Sequence, residues 1–265
     1  MATIPIAIEI ILAADNLEKL WIANLHGPTD AQPEGGQHVR PDTHRRLKSL
    51  SFTGHGDLDA LLDRLHLPAL QSLSVKSGET CEYHLDKLRH LFDCPAAQMR
   101  NLELASVVNN ELSQADVIHL LSSPPLSGLT SLKLDFPEQG VGDELFEQLT
   151  VGLDPALGGR SGGPLFPRLQ AMQLTCGSFT DGHLGRMLES RLRGRYQYPL
   201  AEVFLFFMEE DILIDDATGL RILDPYVWPN DCEALLKWPH VRLTRRFIVV
   251  NDLNGMDEST EPETN

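Results

Sequence analysis

A short arrangement of apolar positions, apolar-x-x-apolar-x-apolar, returns seven times along the chain. The copies are Leu17-Leu20-Ile22, Leu47-Leu50-Phe52, Leu70-Leu73-Val75, Met99-Leu102-Leu104, Leu129-Leu132-Leu134, Leu169-Met172-Leu174 and Leu200-Val203-Leu205. Successive copies start 30, 23, 29, 30, 40 and 31 residues apart. The last apolar positions alternate with other residues, mostly small or polar, as on a strand with one buried face. Helical spacing of apolar residues follows most copies, as in Leu58-Leu61-Leu62-Leu65, Leu85-Leu88-Leu91-Phe92, Val117-Leu120-Leu121 and Leu184-Met187-Leu188. Proline often marks the return to the next strand, in Pro68-Ala69-Leu70, Pro167-Arg168-Leu169 and Pro199-Leu200. It lacks the amide a helix needs and pushes the preceding residue toward extended geometry. Each unit is thus predicted to be a strand followed by a helix.

One such unit cannot bury its own apolar face, whereas stacked copies can. The pattern predicts an α/β fold of the leucine-rich-repeat type, an irregular solenoid or horseshoe with parallel strands on the concave side and helices on the convex side. A doubly wound α/β domain also alternates strands and helices, but its strands are covered on both faces and read as near-continuous apolar runs without a fixed grammar. The repeat is degenerate. The Asn or Cys that a standard repeat carries three places after its last leucine is replaced by Leu25, His55, Gly78, Val107, Pro137, Gly177 and Met208. The interval of 40 contains Gly158-Gly159-Arg160-Ser161-Gly162-Gly163-Pro164, expected as a flexible loop inserted between helix and strand.

Residues 1–250 are expected to form one repeat domain. Ile4 to Ala14 reads as the helix of an earlier repeat or as an N-terminal cap. Residues 228–250, which mix Trp238 and Val241 with Arg245-Arg246 and Phe247 to Val250, read as the C-terminal cap that closes the core. Residues 251–265 hold five acids and no Lys or Arg, and are expected to be a disordered tail.

Irregular repeats of this length, with Leu67-Pro68-Ala69-Leu70-Gln71-Ser72-Leu73 and the opening Asn16-Leu17-Glu18-Lys19-Leu20-Trp21-Ile22, resemble the repeat regions of fungal F-box proteins over roughly residues 1–250. In that family an F-box near the N-terminus docks on the Skp1 adaptor of a cullin ubiquitin ligase, and the repeats capture the substrate. The resemblance therefore implies a protein-interaction scaffold that recruits substrate to an SCF-type ubiquitin ligase. The chain enters its first copy by Leu17, which leaves no room for an F-box ahead of it. A Skp1-type adaptor is expected as a partner only if an F-box lies upstream, and the alternative is a stand-alone scaffold without a ligase link.

Composition narrows the partner. With 42% hydrophobic and 23% charged residues the chain has the make-up of a folded protein, which excludes disorder for most of it. Thirty-eight acidic against 22 basic residues give a net charge of −16, which opposes generic attraction to nucleic acid or anionic lipid. The basic clusters Arg45-Arg46 with Lys48, Arg191 with Arg193 and Arg195, and Arg242 with Arg245 and Arg246 are expected as solvated surface. The first apolar stretch is too short to span a bilayer and carries Glu9. The four cysteines Cys81, Cys94, Cys176 and Cys232 lack disulfide-like spacing, so a reducing compartment, cytoplasm or nucleus, is expected.

Side chains alternate across a strand, so the residues between the core leucines should line the concave face. These are Lys19, Trp21 and Ala23; Ser49, Ser51 and Thr53; Ser72, Ser74 and Lys76; Asn101, Glu103 and Ala105; Ser131, Lys133 and Asp135; Ala171, Gln173 and Thr175; and Glu202, Phe204 and Phe206. The partner-binding candidates among them are Trp21, Ser51, Ser74, Lys76, Glu103, Lys133, Asp135, Gln173, Thr175, Phe204 and Phe206. Aromatic side chains placed where solvent is expected often anchor interfaces, which singles out Trp21 at one end and the two phenylalanines at the other.

Catalytic, cofactor and metal sites are not expected. Cys81, His84, His90 and Cys94 are metal-ligand types, but His84 and His90 lie six apart, about 240° around one helix, and cannot converge. Glu209-Glu210-Asp211 with Asp215-Asp216 lacks calcium-loop spacing and reads as a solvated turn. The glycine run is not followed by Gly-Lys-Ser/Thr, and neither G-x-S-x-G nor H-E-x-x-H occurs. Arg160 on the glycine loop is the one position that suggests a GTPase-activating repeat protein, a minor alternative.

Overall fold

The computed structural model describes residues 2–26, 42–55, 58–77, 85–92, 98–106, 113–136, 141–151, 165–177, 179–192, 198–208, 212–214, 221–223, 228–237 and 241–246. In chain order the elements are β1 (Ala2–Thr3), α1 (Ile4–Ala13), β2 (Lys19–His26), β3 (Asp42–Thr43), β4 (Ser49–His55), α2 (Asp59–Leu62), β5 (Leu65–His66), β6 (Ser72–Ser77), α3 (Leu85–Phe92), β7 (Asn101–Ser106) and α4 (Gln114–Leu121). There follow a 3-10 turn (Pro124–Gly128), β8 (Ser131–Asp135), α5 (Asp143–Leu149), β9 (Ala171–Thr175), α6 (His183–Leu192), β10 (Glu202–Met208), β11 (Ile212–Ile214), β12 (Arg221–Leu223), α7 (Pro229–Leu236) and β13 (Val241–Arg246).

All seven predicted strand cores are strands, and they lie side by side. The main sheet runs β1-β2-β4-β6-β7-β8-β9-β10-β13, an open sheet in sequence order whose neighbours are all parallel. A doubly wound sheet would reverse its strand order at a switch point, and this one does not. Each helix packs on the next, from α1 through α7. Apolar residues of strands and helices form one continuous core from Ile4 to Val241. β8 shows the division of faces: Leu132 and Leu134 are buried, while Ser131, Lys133 and Asp135 on the other face are partly exposed. Helices therefore cover one face of the sheet, and no described element covers the other.

Local sequence explains the helix starts. Ser113 caps α4, its hydroxyl accepting the Asp116 amide at 3.2 Å and donating to the Asp116 carboxylate at 2.6 Å. Two further helices appear, α5, which is the helix expected ahead of the glycine run, and α7. α5 has Leu145, Phe146 and Leu149 at helical spacing, with Asp143 and Glu144 in its first turn, where a helix favours negative charge. The segment expected as a C-terminal cap holds α7 and β13. β13 pairs with β10 in the common register, Val203 opposite Val241 and Leu205 opposite Leu243. The Trp238-x-x-Val241-x-Leu243 spacing is that of the repeating motif. Ile4 to Ala13 is helical, as expected. Outside the main sheet, β3 pairs with β5 in parallel, and an antiparallel hairpin of β11 and β12 precedes α7.

One basic cluster is not the solvated surface expected of it. Arg191 is 1% exposed, and its guanidinium donates to the carbonyls of Leu149, Phe166 and Leu165. Those carbonyls end α5 and lie just ahead of the following strand, so Arg191 supplies donors that burial would otherwise leave missing. Arg193 and Arg195, the glycine run 158–164, the tail 251–265, and residues 247–250 of the expected cap lie outside the described residues.

The last two helices cap each other. Asp231 of α7 accepts the amides of Gly182 (2.9 Å) and Gly185 (2.5 Å) at the start of α6, while Asp181 accepts those of Asn230 and Asp231, both at 3.0 Å, at the start of α7. Close approach makes this possible. A Cβ on Gly185 would lie 2.7 Å from the Ala234 Cβ and 2.9 Å from the Asp231 carboxylate. Gly185→Ala is expected to lower unfolding free energy by about 1–3 kcal/mol through overpacking, measured by urea denaturation. A change within error would show that the two helices can move apart freely.

Candidate functional site

The uncovered sheet face is ordered in rows because the strands share one register. Trp21, Ser51, Ser74, Glu103, Lys133, Gln173, Phe204 and Arg242 stand opposite one another across β2, β4, β6, β7, β8, β9, β10 and β13. With neighbouring strands about 4.8 Å apart, Trp21 and Phe204 are separated by roughly 29 Å along the sheet, with Glu103 on the strand midway. A second row contains Thr53, Lys76, Ala105 and Asp135, and on the far side Thr175 and Phe206. The structure thus brings the expected candidates onto one surface.

Glu103 organises the middle. Its carboxylate receives Lys133 at 2.8 Å, Lys76 at 3.1 Å and the Ser74 hydroxyl at 2.8 Å, all from adjacent strands. Partial burial would raise the carboxyl pKa, but hydrogen bonds from Lys133, Ser74 and Lys76 and the Lys133 charge outweigh it and hold Glu103 below the ordinary carboxylate range. The two ammonium groups are held by one carboxylate, and Asp135 stands on the same face of β8 as Lys133, so this centre is a network of opposite charges tied across three strands.

The ends of the row are different. Trp21 is 73% exposed, the most open large apolar side chain among the described residues. Phe204 is half-buried, and the Arg242 guanidinium lies 5.3 Å from its ring centre in a cation–π contact. Arg242, expected as plain solvated charge, is therefore part of the candidate surface. Its register position opposite Phe204 was concealed because β13 was read as part of a cap.

Thr175 is the candidate that the structure withdraws from contact. It is 2% exposed and its hydroxyl donates to Asp135 at 2.7 Å. Its role in this surface is to hold the Asp135 carboxylate rather than to touch a partner. Ala105, also expected on this face, is buried at 8% exposure. Of the metal-ligand types considered, His90 is exposed on α3, while Cys81, His84 and Cys94 lie outside the described residues, as do Glu209 to Asp211, Asp215, Asp216 and Arg160. Among the described residues there is no group of three or more His, Cys, Asp or Glu that could hold a metal ion, and no helix long and apolar enough to cross a membrane.

These carboxylates act on stability in opposite senses. Glu103 is depressed in the folded chain, so its contribution is present above the unfolded carboxylate pKa and is lost as pH falls through the lower folded value. Burial raises Asp231, with Asp181 adding repulsion and the Gly185 and Gly182 amides opposing. Its ionisation therefore costs stability, and that cost disappears on acidification. Glu103→Gln is expected to lose about 1 kcal/mol at neutral pH, given a partly exposed site. The deficit should shrink below the ordinary carboxylate range, as measured by thermal denaturation from pH 7 to pH 3. A deficit independent of pH would assign it to packing instead of charge.

No family model matches the chain, and neither a curated protein nor a solved structure matches it.

Proposed function

We propose that this chain is a leucine-rich-repeat solenoid that binds a protein partner on the uncovered face of its sheet. The solenoid reading is supported by strand order that follows the sequence without reversal, by one register shared along the sheet, and by burial of one sheet face only. A single observation carries the binding reading: the register row that begins at the 73% exposed Trp21 and ends at Phe204 under Arg242. Large aromatic and arginine side chains at fixed spacing are the residue types that concentrate binding energy in interfaces. Between them Glu103, Lys76 and Lys133 are already paired, so a partner meets polar groups that need little further ordering.

The resemblance to fungal F-box proteins makes the partner a substrate for an SCF-type ubiquitin ligase. Under that form of the proposal the chain is a substrate receptor, and a Skp1-type adaptor joins it only through an F-box encoded upstream. A stand-alone scaffold would use the same surface.

Affinity capture from cell extract tests both parts. The chain is expected to retain a defined set of proteins that the variant Trp21→Ala, Phe204→Ala and Phe206→Ala loses, with circular dichroism confirming that both are folded. Matching partner lists would exclude this face as the binding surface. Recovery of a Skp1-type adaptor by the product of the full transcript would support the ligase form, and its absence there would leave the scaffold form.

A further inference from the structure

A second recognition surface lies along the edge where the chain enters the strands. There a groove of about 820 Å³ is lined by Arg100, Thr130 and Gln170, the residues just ahead of β7, β8 and β9, and by the turns before them. The backbone of these three residues is committed to binding the next unit, since the Arg100 carbonyl accepts the amides of Thr130 and Ser131 and the Thr130 carbonyl those of Gln170 and Ala171. The Thr130 hydroxyl also donates to the Arg100 carbonyl, at 3.0 Å, whereas the Arg100 and Gln170 side chains line the groove and are exposed. Pro124, Pro125 and Pro167 add rigid apolar surface that offers no amide donors. Recognition here must come from side chains.

The charge of the groove opposes that of the chain. On a protein of net charge −16, its charged lining among the described residues consists of two arginines and no carboxylate. Arg100 and Arg168 are both exposed. Arg100 makes no ion pair among the described residues. The exposed Arg168 guanidinium lies 5.9 Å from the centre of the Tyr198 ring, a cation–π contact that keeps the charge beside the groove.

We infer that this groove binds an extended acidic peptide segment of a partner protein, at a site separate from the uncovered sheet face. The groove is half open along its length, a shape that admits a segment lying along it. From the entry of β7 to that of β10 is about 14 Å, the reach of some four extended residues. Asn101 and Ala171 lie two strand spacings apart, roughly 10 Å, and Arg100 and Arg168 stand one and three residues ahead of them, a separation that acidic residues about three or four positions apart in an extended chain can span. Apolar or proline residues between those acids would rest on the prolines and Tyr198. A nucleic acid strand meets the same arginines, but its many phosphates face the repulsion of the whole chain, whereas a short segment needs only two carboxylates.

The test pans a library of random dodecapeptides on the full chain and measures the selected peptides by fluorescence anisotropy. Enriched peptides are expected to carry two acidic residues about three or four positions apart. Their affinity should fall about tenfold or more in the Arg100→Glu, Arg168→Glu variant, the loss of charge-assisted bonds to two guanidiniums. It should weaken with added salt. It should be unchanged in the Trp21→Ala, Phe204→Ala and Phe206→Ala variant, which separates this site from the sheet face. Since both arginines are exposed, circular dichroism should show the variants folded, and Arg100→Gln, Arg168→Gln gives the same reading with less change of charge. The inference is overturned if no peptide is enriched, if enriched peptides lack acids, or if charge reversal leaves their binding intact. It is equally overturned if a labelled 20-nucleotide RNA binds through these arginines where acidic peptides do not.

Discussion

One backbone carbonyl in each unit accepts two amides of the next, and the order of the sheet depends on it. Glu18 receives Lys48 and Ser49, Lys48 receives Gln71 and Ser72, and Gln71 receives Arg100 and Asn101. The series continues with Arg100 receiving Thr130 and Ser131, Thr130 receiving Gln170 and Ala171, and Gln170 receiving Ala201 and Glu202. Distances stay between 2.7 and 3.1 Å along the whole run. This fixes the start of each strand against its neighbour before any side chain is considered. A slip of one residue would turn every core leucine onto the solvent face, and the doubled bond resists that slip at the point where each strand begins.

Unit length is thereby released from register. Successive motif copies are 23 to 40 residues apart, yet Leu73 pairs with Leu102 as Leu134 pairs with Leu174. In the longest unit the additional residues lie between α5 and β9, while the shortest unit has a shorter helix, α2, that starts sooner after its strand; in either place loop closure adds little free energy per residue. A backbone clamp is useful in this chain because the position that carries Asn or Cys in a standard repeat carries other residues. Leu25, one of them, is buried in the core, and the Gly54 α-carbon on the neighbouring strand must lack a side chain because a Cβ there would stand 3.0 Å from the Leu25 carbonyl oxygen.

The apolar grammar made the seven internal strands, the side-chain rows and four helices legible in the sequence, because periodicity reports which face is buried, but the segment read as helical from Leu58 to Leu65 is helical only over Asp59–Leu62, and Leu65 belongs to β5. It could not report Thr175 as buried, since alternation describes the direction of a side chain and not whether Asp135 closes over it. Arg191 escaped for a related reason: a cation in a basic run looks solvated until its three carbonyl acceptors, all more than twenty residues away, are placed around it. β13 was different. Its Trp238-Val241-Leu243 spacing was present in the sequence, but the neighbouring arginines and the Phe247 to Val250 run suggested termination instead of another strand.

The same clamp decides where recognition can occur. Backbone groups at the strand entries and in the ladder are satisfied by other units, so partner binding by strand addition is confined to the outer edges of the sheet. Everything between must be read through side chains, either on the uncovered face or along the entry edge. These surfaces are chemically distinct. The face joins aromatic ends to a paired centre, and the edge sets two arginines among prolines. Since the backbone fixes both arrays without consulting their side chains, substitutions at Trp21 or Arg168 would, under the proposed function, alter what is bound while the sheet keeps its register.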